Sequence, residues 1–388
     1  MSGIYIHIPF CKQACHYCNF HFSTSLRYKN ELIAALLKEI EIYTGFSSSF
    51  RNAVEKVKEG TEIAATDLIE TIYFGGGTPS ICSKDEIQSI IKKINSGFNV
   101  SPSAEVTLEA NPDDITEEKL KDWKDAGINR LSIGIQSFFE EDLQWMNRAH
   151  DAKQAIDSLK LSLDHFKNIT IDLIYGTPEL TNEKWKLNIE KAISLGIQHL
   201  SCYALTVEPK TPLDKLIRLH KSPDINPDKQ SEQFLLLMQW LEEAGYEHYE
   251  ISNFAKPGFR SRHNSSYWKG KKYLGFGPSA HSFDGNARWW NIANNNAYIE
   301  AINSGSIPYE KEELSSTQKI NEYIMISLRT SEGLDLSKLN DSMRDELLTS
   351  CRKYIENGFV KRENNFLTLT REGKLLADGI ASDLFFDQ

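Results

Sequence analysis

Between Ile4 and Leu205, short apolar runs of strand type alternate with stretches of helical periodicity, and this alternation constrains the fold most. The strand candidates are Ile4–Ile8, Thr71–Phe74, Glu105–Glu109, Arg130–Gln136, Ile169–Tyr175 and His199–Leu205. Between them stand helix candidates: Tyr28–Tyr43 (apolar at Leu32, Ile33, Leu36, Leu37 and Ile40), Lys84–Ile94, Glu117–Ala126, Ala152–Leu163 and Asn182–Leu195. Thr116 caps the third, with Lys119 where a full capping box has an acid or amide. Parallel strands need long crossover connections, so the alternation predicts α/β architecture. An incomplete six-stranded (β/α)6 TIM-like barrel fits it best. Gly45–Asp67, Ser-rich and then charged, reads as a surface excursion with a short helix near 53–58.

Past Leu205 the pattern changes. Pro209–Pro227 reads as a connection, Lys229–Ala244 as a helix and Tyr246–Ile251 as a strand. Helices Lys319–Leu328 and Leu339–Asn357 precede a hairpin, Phe359–Arg362 and Phe366–Thr370, turning at Asn364-Asn365. These predict a smaller C-terminal α+β domain of winged-helix type. It lacks a basic face for DNA, so a packing or lid role is expected. The chain divides accordingly into a barrel over 1–230, a barrel extension over 231–315 and a C-terminal domain over 316–388.

The first strand runs into Cys11-Lys-Gln-Ala-Cys15-His-Tyr-Cys18. Three thiolates within eight residues can wrap one soft metal centre, yet a four-iron cluster normally takes four cysteines. Such a loop leaves one iron open for another ligand, as a catalytic zinc site keeps an open position. A structural zinc loop with His16 or His21 as fourth ligand is the alternative. Zinc knuckles usually come in pairs distant in sequence, and no second knuckle is present. Cys82, Cys202 and Cys351 are isolated and read as small core residues.

Free thiols beside a cluster loop predict a reducing compartment, the cytoplasm. Met-Ser-Gly opens the chain without the basic and apolar regions of a signal peptide. No apolar run reaches the ~18 residues of a membrane span. The formal charge of −10 leaves no electrostatic footprint for nucleic acid.

Polar residues gather at the C-terminal ends of the predicted strands, where parallel barrels place their chemistry. Gly75-Gly76-Gly77-Thr78-Pro79 ends the second strand, and glycines there let backbone approach a ligand closely or simply make a turn. Glu109, before Asn111-Pro112, offers a carboxylate to hydroxyl donors or to solvent. Gln136 ends the fourth strand in Gly-Ile-Gln-Ser-Phe, where an amide serves a ligand or the backbone. Arg148 can clamp a carboxylate bidentately or stand as a surface charge. Asp172 lies inside an apolar strand, where an unpartnered carboxylate is costly.

In their order along the chain these residues resemble the radical S-adenosylmethionine (SAM) superfamily. The resemblance runs through Tyr5–Cys18, Gly75–Pro79, Glu109–Pro112, Gln136–Phe138, Asp172–Gly176 and Tyr249–Phe254, from residue 3 to about 375. It points to the branch holding oxygen-independent coproporphyrinogen III oxidases and HemW-type heme chaperones. It implies that Cys11, Cys15 and Cys18 bind a [4Fe–4S] cluster whose open iron chelates SAM's methionine. It implies further that Tyr5, Gly76, Gly77, Thr78, Glu109, Gln136, Arg148 and Asp172 contact SAM, with Ala204 and His281 near further cofactor positions.

Within the branch, the oxidases carry a fourth cysteine two residues after the third, where this chain has Phe20. They also carry an N-terminal segment ahead of the first strand. His263-Asn264-Ser265-Ser266-Tyr267-Trp268 matches the His-Asn-x-x-Tyr-Trp motif of the chaperones. The expectation is therefore a heme chaperone binding heme, a [4Fe–4S] cluster and SAM, and delivering heme to apo-hemoproteins such as respiratory enzymes. Peripheral membrane contact and a homodimer are implied by the resemblance alone. An exposed His263 imidazole can ligate heme iron, Tyr267 and Trp268 can cover the macrocycle, and Arg260 and Arg262 can meet propionates; alternatively, the segment pins a loop. The enzymatic alternative is a coproporphyrinogen III dehydrogenase. A tRNA-modifying enzyme is disfavoured by the acidic charge.

Overall fold

The computed structural model describes residues 2–44 and 67–387. The helix expected near 53–58 lies outside the described residues. In chain order, strands β1 (Ser2–Ile8), β2 (Ile69–Gly76), β3 (Val100–Ala110), β4 (Arg130–Gln136), β5 (Ile169–Tyr175) and β6 (His199–Ala204) come first. Between them run helices Lys29–Thr44, Lys84–Gly97, Glu117–Ala126, Ala152–His165 and Asn182–Ser194. The α/β alternation predicted from sequence is thus present, with most boundaries within a few residues. Beyond it lie β7 (Glu247–Glu250), β8 (Asn253–Ala255), β9 (Tyr273–Phe276), β10 (His281–Phe283), β11 (Ala287–Asn291), β12 (Tyr309–Glu313), β13 (Leu334–Asp335), β14 (Val360–Glu363) and β15 (Phe366–Leu369).

Two compact units divide the chain. The first comprises Met1–Leu173, Thr206–Asp224 and Lys271–Glu313. Its strands follow the order β12-β11-β10-β9-β1-β2-β3-β4-β5. Those from β9 through β1 to β5 run parallel, and β9 to β12 join antiparallel. On β1 the side chains alternate between faces: Ile4, Ile6 and Ile8 are fully buried, while Tyr5 and His7 share the opposite face. Helix Lys84–Gly97 shows how the connections are fixed. Ser83 accepts from Glu86 N, and Glu86 returns a bond to Ser83 N, while Ile87, Ile90, Ile91 and Ile94 are buried.

The second unit comprises Ile174–Leu205, Ile225–Gly270 and Leu314–Gln388. In it β6, β8 and β7 pair antiparallel. The C-terminal hairpin β14–β15 turns at Asn364-Asn365 as predicted, with Asn364 in the left-handed region. With β13 and helices Ser316–Leu328 and Asp341–Glu356 it closes over a core that includes Ile324, Leu328, Leu347 and Cys351.

Three features depart from the sequence reading. Pro209–Pro227 contains a helix, Pro212–Arg218, capped by Thr211, whose hydroxyl accepts from Asp214 N. The Thr-Pro pair was the signal, since proline suits the first helical position. The strands β8 to β12 are three to five residues each, too short for periodicity to show. The His263 segment lies on a helix, Arg262–Trp268, rather than a loop. Among the described residues no helix is long and apolar enough to cross a membrane.

Candidate functional site

The cysteine loop leaves the end of β1 and is tied at both ends. Cys11 N donates to Ser23 O at 3.0 Å, and Ser23 N to Pro9 O at 2.8 Å. In mid-loop, Asn147 Nδ2 donates to Ala14 O at 2.7 Å and His16 N to Met146 O at 3.1 Å. Leu213 N, from the unpredicted helix, donates to His16 O at 2.9 Å. These bonds hold Cys11, Cys15 and Cys18 at one end of the parallel strands, half-buried and free of disulfides.

Donors are aimed at the sulfurs. Arg148 Nη1 lies 3.3 Å from Cys15 Sγ, and Thr78 Oγ1 lies 3.4 Å from Cys11 Sγ. A guanidinium and a hydroxyl at these distances favour thiolate, the form a metal binds. Burial alone acts the other way, pushing the Cys11 thiol up to about 11 and raising Cys18, so a metal must draw the protons off. The donor set therefore fits an iron–sulfur group. Among the described residues no three His, Cys, Asp or Glu side chains close on a single ion position. His16 and His21, the candidate fourth zinc ligands, each have a ring nitrogen engaged elsewhere: His16 Nδ1 at 2.8 Å from Trp145 O, His21 Nε2 at 2.8 Å from Asn295 Oδ1.

Around this loop the first unit gathers the strand-end residues. Tyr5 is registered opposite Tyr73, their rings 6.2 Å apart and nearly parallel. The Tyr5 hydroxyl is 3.2 Å from His7 Nδ1. Tyr73 donates to Glu109 Oε1 at 2.8 Å, and Gly76 N donates to Glu109 Oε2 at 3.2 Å. Glu109 is thus no solvated strand-end charge. Burial, followed by the nearby Asp172 carboxylate, pushes its carboxyl up to about 8. Asp172 is half-buried on β5, registered opposite Gly134 of β4.

Gly76 and Gly77 have a structural reason. Gly76 holds φ at +109° with the His7 ring where a Cβ would stand, and a Cβ on Gly77 would be 2.7 Å from Phe10 O. Gln136 ends β4 at φ +66°, beside a bulge in its pairing with β5. A non-glycine residue in that region is uncommon and marks a position the fold over-determines.

Arg148 is no surface charge either. Its Nη2 donates to Asn111 Oδ1 and to Gly134 O, both at 2.8 Å, and Nη1 reaches the Tyr17 hydroxyl at 3.4 Å besides Cys15. A Cβ on Gly134 would stand 3.0 Å from Gln136 Nε2 and 3.2 Å from Arg148 Nη2, so a bare backbone lets amide and guanidinium converge. Asn111 also donates to Thr78 Oγ1 at 3.2 Å, joining two strand ends. His7 and Asn111 stand inside the motifs that carry the family resemblance but were given no role there, and Tyr73 was read only as a strand residue. The two-residue alternation, placing His7 beside Tyr5, was a further signal for His7.

The second unit carries the His-Asn-x-x-Tyr-Trp segment. Ser261 caps its helix, accepting from Asn264 N at 3.2 Å. His263 is 2% exposed, and its Nε2 lies 2.8 Å from the Tyr267 hydroxyl one turn on. The exposed imidazole expected from sequence is therefore buried, because the i, i+4 spacing brings Tyr267 over it. Arg260 is committed to Glu247 at 2.9 Å and Glu332 at 2.7 Å. Trp268 lies under the Arg329 guanidinium, 5.4 Å from its ring centre. Its buried Nε1 has no hydrogen-bond partner among the described residues.

Known proteins resemble this chain in sequence and in fold. The radical SAM superfamily profile matches residues 5–192, and the HemN C-terminal domain profile matches residues 314–376. Heme chaperone HemW of Bacillus subtilis (strain 168) is 34% identical, with 98% of each chain covered. The chain belongs to the HemW family. HemW of Escherichia coli (strain K12) is 29% identical, covering 97% of this chain and 96% of its own. The coproporphyrinogen III oxidase HemN of Escherichia coli, a radical SAM enzyme by its description, superposes with a TM-score of 0.81. That match covers 99% of this chain and 89% of HemN at 22% identity, and it shows the α/β barrel class expected from the sequence.

Proposed function

We propose that this chain is a heme chaperone, holding heme together with a [4Fe–4S] cluster and SAM and passing heme to apo-hemoproteins, respiratory enzymes among them. The observation that carries the reading is end-to-end similarity to proteins named heme chaperone HemW, at 34% identity over 98% of both chains. Cys11, Cys15 and Cys18 would hold the cluster, which supplies redox chemistry toward SAM when bound. Arg148 and Thr78 steady the sulfurs from outside. Tyr5, Gly76, Gly77, Thr78, Glu109, Gln136, Arg148 and Asp172 would receive SAM. Glu109, protonated at neutral pH, can donate to a hydroxyl or carbonyl oxygen. Asp172 can accept from ribose hydroxyls, and Gln136 beside Arg148 offers donors to a carboxylate.

Phe20 supports chaperone over oxidase. It stands where the oxidases carry a further cysteine, and its ring is 68% exposed beside the cluster loop. His263, Asn264, Tyr267 and Trp268 are proposed as a heme-contacting segment. For His263 itself to bind, its bond to Tyr267 must break. Domain limits at 1–230, 231–315 and 316–388, peripheral membrane contact, a homodimer and cytoplasmic residence complete the proposal. The last is supported by six free cysteines.

The test offers cluster-reconstituted protein either heme or coproporphyrinogen III, with SAM and reductant present. Stoichiometric heme binding without carbon dioxide release is expected. Carbon dioxide from the porphyrinogen, or a folded protein that ignores heme, contradicts the reading.

A further inference from the structure

The chain has ten histidines, all among the described residues, and two are exposed: His220 and His281. His220 ends the surface helix Pro212–Arg218 in a left-handed turn, with no ring against it. His281 differs. It opens β10 directly opposite Trp290 of β11, and the two rings stack with centroids 5.8 Å apart and planes 26° from parallel. The indole fixes the plane of the imidazole, while neither ring nitrogen makes a hydrogen bond to a described residue. Partial burial first, then the Arg288 guanidinium, lowers its pKa, which favours the neutral ring and its lone pair.

The surroundings suit a flat conjugated ligand bearing carboxylates. Two residues along the same face of β10, Phe283 is registered opposite both Tyr273 of β9 and Arg288 of β11. The Phe283 and Tyr273 rings lie 6.2 Å apart, giving an aromatic flank beside the imidazole. Arg288, ion-paired with Glu312 at 4.0 Å, supplies positive charge there. Glu310 and Glu312 occupy the same face on β12, which steers a ligand's carboxylates toward Arg288 and away from β12. On the other side, Tyr5 is registered opposite Gly275, a position without a side chain. A Cβ on Gly277, one residue past β9, would stand 2.6 Å from His7 O, and one on Gly275 would meet His281 O, which places this face beside the cysteine loop's end of the sheet.

We propose that the imidazole of His281, oriented by Trp290, is the axial ligand of the heme iron, with Phe283 and Tyr273 against the macrocycle and Arg288 at its propionates. This rests on the chaperone reading and names the side chain that holds the cargo. Axial ligation needs an accessible neutral imidazole, which His281 provides and the tied His263 does not.

The test compares the full-length wild-type protein with His281→Ala, His281→Met and His220→Ala, each loaded with heme. Optical spectra are recorded as differences against the heme-free protein, together with low-temperature electron paramagnetic resonance. Wild type and His220→Ala, which alters an exposed histidine outside the proposed site, are expected to show histidine-ligated heme. His281→Ala should lose that signature, and His281→Met should replace it with a thioether one, a change that a merely structural residue cannot produce. Folded His281 variants with wild-type spectra overturn the proposal. So does wild-type heme without histidine ligation, which leaves the chaperone reading standing. Absence of heme binding in the wild type overturns both.

Discussion

Arg148 follows a short helix, where an arginine is ordinarily a surface charge, yet its guanidinium donates to Cys15, Tyr17, Asn111 and Gly134. Nothing local in the sequence signals those partners, which come from three other segments. The same holds for the left-handed Gln136 and for Tyr73 beneath Glu109. By contrast the three cysteines and Glu109 were legible, because motif spacing and position at a strand end are local. Arg148→Ala should weaken SAM binding by about tenfold or more, as expected when charge-assisted hydrogen bonds worth roughly 1.5–3 kcal/mol are lost. It should also lower the melting temperature, since Asn111 and Gly134 lose their donor. Calorimetric SAM titration and a thermal melt check both parts, and wild-type affinity in the folded variant contradicts the assignment.

Glu109 makes a pH prediction. Its folded carboxyl titrates near 8, against about 4.3 for an unperturbed glutamate. Between those values the folded state binds more protons than the unfolded one, so its contribution to stability falls as pH rises through that window. Glu39, fully buried and pushed up to about 7, acts in the same sense. Glu109→Gln should therefore flatten part of the decline between pH 5 and 8 in urea melts, within the window set by these shifts. A variant curve parallel to wild type would show that Glu109 is ionised in the fold.

At the scale of elements, the six leading strands and their helices were readable because each is long enough to show its period. The strands β8 to β12 were not, since three to five residues acquire their identity from pairing rather than pattern. Helix Pro212–Arg218 is masked in the sequence by the prolines around it, although its donor to His16 O helps hold the cluster loop. One close contact between elements is β2's end against that loop. Gly77 N donates to Ile8 O at 2.9 Å, and a Cβ on Gly77 would stand 2.7 Å from Phe10 O and 2.8 Å from Phe10 N. Backbone cannot yield as a flexible side chain can. Gly77→Ala should therefore displace the entry to Cys11 and reduce iron bound per chain well below wild type after identical reconstitution. Full iron content in the alanine variant would show that the loop accommodates the methyl group elsewhere.

For the whole molecule, fold and function part company. A coproporphyrinogen oxidase shares the fold at a TM-score of 0.81, so the barrel class does not choose between oxidising a porphyrinogen and carrying heme. On the proposed reading what distinguishes them is local: Phe20 in place of a cysteine, and the segment His263–Trp268. That His263 is buried against Tyr267 was not legible, because a motif gives residues without showing which of them satisfy one another. The most direct test of the account is heme transfer. Protein loaded with heme and freed of excess is mixed with a heme-depleted apo-enzyme, and the recovery of that enzyme's activity is followed. The account predicts recovery together with loss of heme from this chain. Heme retained by this chain, with the apo-enzyme inactive until free heme is added, would contradict it.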